Sequence, residues 1–331
     1  MKVSNRMKRD TSFLLGENRL ELPAFYPSIS SVKNSYDLEY YLQVVSQLII
    51  NKAFLVSAYD IAFSTNPENV QELLKSSKKN NTTIMLDSGN YESYWKDKKN
   101  SWLQCNYHEI LKSSKYDIAF SFDDQNPSRD NDKHIEQVIM SWQNDQLYAG
   151  IRPVIPIVHG VSSCLPSICR QVADHTSINM VAVPERALGE DIFSRAKVVK
   201  EIRQELDMLD RYVSIHLLGT GNPISIAIYT AQGADSFDGL EWCQTVVDHN
   251  SGFLHHYSHS EFFKQQTSWA EYGLSFHVRT LAHNLEYYSN WMSQLQTANS
   301  KGLLLKFCDM NLPDYVFDQC IQNLGWERNE Y

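Results

Sequence analysis

The chain has 331 residues, 43% of them hydrophobic and 21% charged, with a formal net charge of −9. That is an ordinary globular composition, long enough to bury a sizeable core without disulfide staples. No run of about 18 apolar residues is present, which excludes a membrane-spanning helix of the usual kind, and the acidic balance argues against a dedicated basic nucleic-acid binder.

Met1 to Asp10 is basic, but no apolar segment follows it, so it does not read as a secretory signal. The six cysteines (Cys105, Cys164, Cys169, Cys243, Cys308 and Cys320) are scattered and none forms a Cys-x2-Cys pair. Neither a disulfide framework nor a zinc ribbon is suggested, and a reducing cytoplasm is the expected home.

Downstream, short β-rich runs alternate with helical patterns. Phe54 to Ala58 reads as a strand, and Asn66-Pro67 as an N-cap with proline at the first helical position. Strands are expected at Thr83 to Leu86, Asp117 to Phe122, Val154 to Val158, Met180 to Val183 and Tyr212 to Leu218. A helix fits Asp191 to Leu206, and Asn222-Pro223 opens another that Gly233 closes. Asp248 to Leu295 is rich in His, Phe and Tyr; within it Leu281, Leu285, Tyr288, Met292 and Leu295 form the apolar stripe of a helix. Repeated strand–helix units imply a parallel sheet. Asp87, Asp123, His159, Glu185 or Arg186, Gly219 and Asp238 each fall just past a strand's C-terminal end. Six strands delivering polar residues favour closure into a single α/β domain, a (β/α)8 TIM-type barrel over 1–331 with its site at that face.

Singly, each aspartate has the plain reading of a helix cap or turn residue. Together, on one barrel face, opposed carboxylates suit attack at an anomeric carbon by one and acid–base work by another. Tyr91, Tyr94, Trp95, Lys96, Lys98, Lys99 and Trp102 mix aromatics with positive charge, as a nucleic-acid strand requires, or as a solvated loop would. His255 and His259 could share a metal if that stretch were helical, although scattered packing histidines are the plainer reading. Gly219-Thr-Gly221 before a helix could cradle phosphate, with a simple turn as the alternative. Cys243 is assigned to packing.

Several runs resemble the tRNA-guanine transglycosylase superfamily. Asp87-Ser88-Gly89-Asn90-Tyr91-Glu92 is similar to its Asp-Ser-Gly-Gly-Phe-Gln motif, and Phe122-Asp123 to its Ala-Phe-Asp-Glu segment. Pro156 to Gly160 resembles Gly-Ile-Val-Gln-Gly, and Ala187 to Glu190 resembles Ala-Val-Gly-Glu. His216 to Pro223 resembles Tyr-Leu-Met-Gly-Val-Gly-Thr-Pro, Gly233 to Asp238 resembles Gly-Ile-Asp-Met-Phe-Asp, and Leu22 to Pro27 resembles Thr-Pro-Ala-Phe-Met-Pro. The matches keep family order. The resemblance implies a (β/α)8 barrel that exchanges guanine for a 7-deazaguanine. Asp238 is implied as nucleophile at C1′ and Asp87 as acid and base. Asp123 would read the guanine edge, and a carboxylate can accept from both its N–H donors. Tyr91 would stack on the base, and His159 stands where the family has a glutamine, offering a donor whose charge responds to pH. Leu218 and Gly219 would shape the base pocket. Trp95, Lys96, Lys98, Lys99 and Trp242 are expected acceptor contacts.

The chain also departs from the family. His283 matches the zinc histidine, but the three zinc cysteines have no counterparts, so no metal or cofactor is expected and 245–300 reads as an embedded subdomain replacing the zinc region. Gly239 to Gln244 lacks the arginines that serve a tRNA anticodon loop. Glu185-Arg186 replaces the Gly-Leu that lines the pocket beside the 7-substituent. Ordinary tRNA is therefore a doubtful acceptor. Two readings remain open. One is a base-exchange enzyme acting on nucleic acid, DNA before tRNA, as in relatives that place 7-deazaguanines in DNA. The other is a barrel that recognises a deazaguanine-modified partner protein, as in the relative that accompanies a cGAS-like nucleotidyltransferase in type IV CBASS antiphage defence. Family members often dimerise through the zinc region; with that region rebuilt, a homodimer is left open.

Overall fold

The computed structural model describes residues 9–328 except 16–17, 33–35, 49, 51 and 97–100. Eight parallel strands form its centre: β1 (Ala24–Ile29), β2 (Ala53–Ser57), β3 (Thr83–Asp87), β4 (Ile118–Phe120), β5 (Val154–Ile155), β6 (Met180–Pro184), β7 (Ser214–Leu218) and β8 (Ser236–Gly239). Seven of the eight junctions are strand ladders, including β8 back onto β1. The seam between β5 and β6 is joined by the bridge Ile157–Ala182, where Val158 N–H donates to the Ala182 carbonyl at 2.8 Å and Ala182 N–H to the Pro156 carbonyl at 3.0 Å. The architecture is a (β/α)8 barrel, as the strand ends suggest.

Side chains alternate across each strand. One parity points inward: Ala24 and Tyr26, Ala53 and Leu55, Met85, Ile118 and Phe120, Ile155 and Ile157, and Met180 and Ala182 fill the barrel with Phe13 and Leu22. The other parity, including Phe25, Phe54, Val56, Ile84, Leu86, Val181, Val183, Ile215 and Phe237, packs against the outer helices. This two-sided burial produces the nearly continuous apolar runs of the sequence.

The helical caps fall where the sequence places them. Asn66 Oδ1 accepts from Asn69 N–H at 3.2 Å ahead of Pro67–Lys79. Asp191 caps Ile192–Leu206, and Asn222 caps Pro223–Gln232. Three strands are shorter than expected, and β7 starts at Ser214, two residues after Tyr212. β4 excludes Asp117, whose carboxylate pairs with Lys78 at 2.6 Å. β5 stops at Ile155 because Pro156 has no N–H for the ladder.

After β8 comes a four-residue helix, Glu241–Gln244, then a hairpin of Thr245–Val247 with Leu254–His256 and 3-10 turns between 257 and 272. The helix Phe276–Ser300 follows, and its expected stripe of Leu281, Leu285, Tyr288, Met292 and Leu295 is buried. His255 lies on a hairpin strand with its ring 4.9 Å from Phe263, so it shares no helix with His259. That corrects the helical premise of the metal pair. Among the described helices, none is long and apolar enough to cross a membrane.

Candidate active site

The C-terminal ends of the strands surround a cavity of about 410 Å³. Asp87, Tyr91, Asp123, His159, Glu185, Arg186, Leu218, Gly219 and Asp238 all line it. Residues scattered over about 150 positions of sequence thus share one space, because barrel closure brings β3 through β8 to the same rim.

Asp238 stands at the end of β8, buried, with three donors converging on its carboxylate. Ser28 Oγ donates to Oδ2 at 2.7 Å, while Gly219 N–H lies 3.2 Å and His216 Nε2 3.1 Å from Oδ1. The Ser236 hydroxyl is 2.7 Å from His216 Nδ1. If that hydroxyl donates, Nε2 carries the ring proton and points it at Asp238.

Asp87 ends β3 in different surroundings. Its Oδ2 accepts the Gly89 N–H at 2.9 Å. Burial, followed by the neighbouring charges of Glu92 and Asp123, pushes its carboxyl well above the usual range. Gly89 has φ +78°, and a Cβ there would lie 2.4 Å from Tyr59 N, so the turn that presents Asp87 requires glycine. The two aspartates are therefore prepared differently: one is fixed by donors, the other is kept protonated to higher pH.

Asp123 lies past β4. Its Oδ2 faces His159 Nε2 at 2.7 Å and also accepts from Gln125 Nε2. Ser88 Oγ lies 3.3 Å from Oδ1. Tyr91 lies at the rim, with the Arg186 guanidinium 5.6 Å from its ring centroid and a further Arg186 bond to Gln125 at 2.5 Å. Glu185 is tied down by the Tyr229 hydroxyl at 2.9 Å and Arg195 at 3.1 Å.

Trp242 is a correction. It is fully buried, and its indole N–H donates to the Ser28 carbonyl at 2.9 Å. It braces the strand beneath Asp238 and cannot contact an acceptor. Trp95 and Lys96 are exposed at the rim, whereas Lys98 and Lys99 lie outside the described residues. Cys243 is buried, with its thiol 3.2 Å from the Leu240 carbonyl.

Sequence reasoning missed further polar and charged cavity residues, among them Ser28, Ser30, Glu92, Gln125, Arg195, Glu241 and Gln244. Glu92 and Glu241 are the unusual ones. Burial, then Asp60, raises the Glu92 carboxyl to about 7. Burial likewise raises Glu241 to about 7.

The residues present do not fit the superfamily's zinc centre. His283 Nε2 is 2.8 Å from the Val247 carbonyl, and the neighbouring His249 Nε2 is 3.0 Å from the His283 carbonyl. Burial lowers His249 to about 4 and lowers His283 as well. Among the described residues, no three His, Cys, Asp or Glu side chains gather as a ligand set.

No protein-family model matches the chain. Over 243 residues it is 26% identical to the tRNA-guanine(15) transglycosylase of Sulfolobus acidocaldarius. The similarity supports the tRNA-guanine transglycosylase superfamily. The match covers 70% of this chain and 47% of that transglycosylase, so the chain spans about half the length of its curated relative.

Proposed function

We propose that this barrel is a base-exchange transglycosylase that replaces guanine in a nucleic acid with a 7-deazaguanine. The observation that carries the reading is the unequal preparation of two carboxylates around one cavity: Asp238 held by three donors, Asp87 pushed towards its protonated form. A buried carboxyl that keeps its proton suits the acid role, and a carboxylate steadied by donors suits the nucleophile.

In this cycle an Asp238 oxygen bonds to C1′ as the C1′–N9 bond breaks. The bond's electron pair leaves with guanine, and Asp87 supplies its proton. Asp87, now a carboxylate, takes the N9 proton of the incoming base. N9 attacks C1′ and releases Asp238, so the enzyme ends as it began. Asp123 and His159 face the same cavity and are assigned the base edge, and Tyr91 the base face. Neither metal nor cofactor is needed for these steps.

The decisive test is exchange of labelled guanine into oligonucleotides, with Asp238→Asn as the comparison. Wild-type exchange that the variant abolishes supports the reading. Exchange that persists in the variant removes Asp238 from the role of nucleophile.

A second reading is favoured by the net charge of −9 and by Gln244 standing in the arginine-free run after Asp238. In it the cavity grips a deazaguanine carried by a partner protein, such as a nucleotidyltransferase. Co-purification of a modified protein, lost in Asp123→Ala and unaffected in Asp238→Asn, would favour this reading over exchange.

A further inference from the structure

A second groove, of about 520 Å³, adjoins the base cavity and shares Gln125, His159 and Arg186 with it. The two spaces differ in charge. The cavity is lined by the carboxyl groups of Asp87, Glu92, Asp123, Glu185, Asp238 and Glu241, with Arg186 and Arg195 among them. The groove lining contains Arg129, Arg186, His134 and His159 and, among the described residues, no carboxyl group. That is a pronounced local exception in a chain of net charge −9. Arg129 is exposed and makes no ion pair among the described residues. One wall carries Tyr94 and Trp95, which are 59% and 58% exposed, with ring centroids 5.5 Å apart.

We propose that this groove binds the single-stranded nucleic-acid segment flanking the exchanged nucleoside, with a base stacked on Trp95 or Tyr94 and a phosphate at Arg129. Exposed aromatic faces beside cations are what an unpaired strand requires: every base has a face to stack, and every linkage a charge to neutralise. The cavity's carboxyl groups outnumber its two arginines, Arg186 and Arg195, whereas the groove lining offers arginines and, among the described residues, no carboxyl group, so a strand would place its base in the cavity and its backbone in the groove. The run after Asp238 ends in Gln244 and has no arginine, so positive charge meets the strand on the β3, β4 and β6 side of the mouth instead. This assignment rests on the base-exchange reading and names the side from which the acceptor enters.

The test uses the full chain carrying Asp238→Asn, to prevent turnover, and fluorescein-labelled single-stranded DNA and RNA oligonucleotides containing one guanine. Anisotropy is read at several salt concentrations. Trp95→Ala and Arg129→Glu, each added to that background, are expected to weaken binding about tenfold. Arg129→Glu should also reduce the salt slope by about 0.7. Lys200→Glu, a charge change of the same size on an outer helix, should leave affinity unchanged. Melting curves matching the parent confirm that the exposed substitutions leave the fold intact. Equal losses in Lys200→Glu and Arg129→Glu, unchanged affinity in both groove variants, or no binding of either oligonucleotide would overturn the assignment. Groove-dependent binding by a wild-type protein that exchanges no guanine would sink the exchange reading alone. Guanine exchange with groove variants of unchanged affinity would sink the groove alone.

Discussion

Asp87 and Asp238 are the same side chain in opposite surroundings, and Glu92 contributes to the difference. Glu92 is buried, accepts the Ser30 hydroxyl at 2.5 Å, and exerts the largest charge effect on Asp87. Both carboxyls are raised, so the folded chain keeps these protons to higher pH than the unfolded chain does. Stability from such groups is complete below the ordinary carboxylate range of about 4 and is lost as pH rises through the folded values. For Glu92 that window runs up to about 7. Glu92→Gln keeps an oxygen for Ser30 and removes the charge. The alkaline limb of the exchange profile is then expected to move to lower pH, because Asp87 loses a like-charged neighbour. The melting temperature near pH 8 should rise by about 2 °C. If neither moves, Glu92 does not tune Asp87. At this scale the sequence showed residues that stand immediately past strand ends. It hid Ser28 and His216, which read as ordinary strand positions. Their signal is the two-residue period: Ser28 follows inward-facing Tyr26, and His216 shares a face with Leu218. Asp123 falls one residue out of that period, because the chain leaves β4 at Phe120 and turns where the Asp145 carboxylate accepts the Phe122 N–H at 2.6 Å.

Elements with strong local chemistry were legible, and those decided by tertiary contacts were not. Asn66-Pro67, Asp191 and Asn222-Pro223 announce helix starts, since a side-chain oxygen satisfies backbone donors that the helix leaves unpaired. Trp242 shows the opposite case. Its sequence neighbours suggested an exposed rim, but the short helix Glu241–Gln244 turns it inward beneath β1. Nothing local to Trp242 encodes that direction. The end of Pro223–Gln232 gives an element-scale prediction. Gly233 has φ +119°, and a Cβ there would lie 2.6 Å from Arg203 Cγ. Arg203 is held by Asp207 at 2.7 Å and by the Val213 carbonyl at 2.7 Å, so it cannot simply swing aside. Gly233→Ala should therefore destabilise the chain by about 1–3 kcal/mol, read as a lower urea midpoint. An unchanged midpoint would mean the helix end relaxes into another turn.

Across the whole molecule, the barrel separates chemistry at one end from closure at the other. The site end carries the acidic cavity and the basic groove. At the opposite end, Phe13 and Leu22 plug the interior, and the helix Phe276–Ser300 reaches it through Asn299, whose side chain donates to the Leu22 carbonyl at 3.1 Å. Arg9 fastens this end across 226 positions of sequence: its Nε is 3.0 Å from Asp235 Oδ1, and its other nitrogens donate to the carbonyls of Thr230 and Ala234. Asp235 is fully buried and also accepts from the Tyr212 hydroxyl at 2.6 Å and Ile215 N–H at 2.9 Å. No sequence pattern linked Arg9 to Asp235, because the pairing exists only once β8 closes on β1. Arg9→Ala removes the nearer of two cations from a buried carboxylate, leaving Arg203 Nη1 at 3.9 Å from Asp235 Oδ2. Removing one partner of a buried pair costs up to about 5 kcal/mol, and the remaining Tyr212 and Ile215 donors should hold the loss to about 2 kcal/mol. Salt should change this loss little, since the pair is shielded from solvent. The melting temperature should fall, while guanine exchange well below the transition should match wild type, because the strands' full length separates Arg9 from Asp87 and Asp238. Loss of exchange at an unchanged melting temperature would instead show that the closed end and the site are coupled.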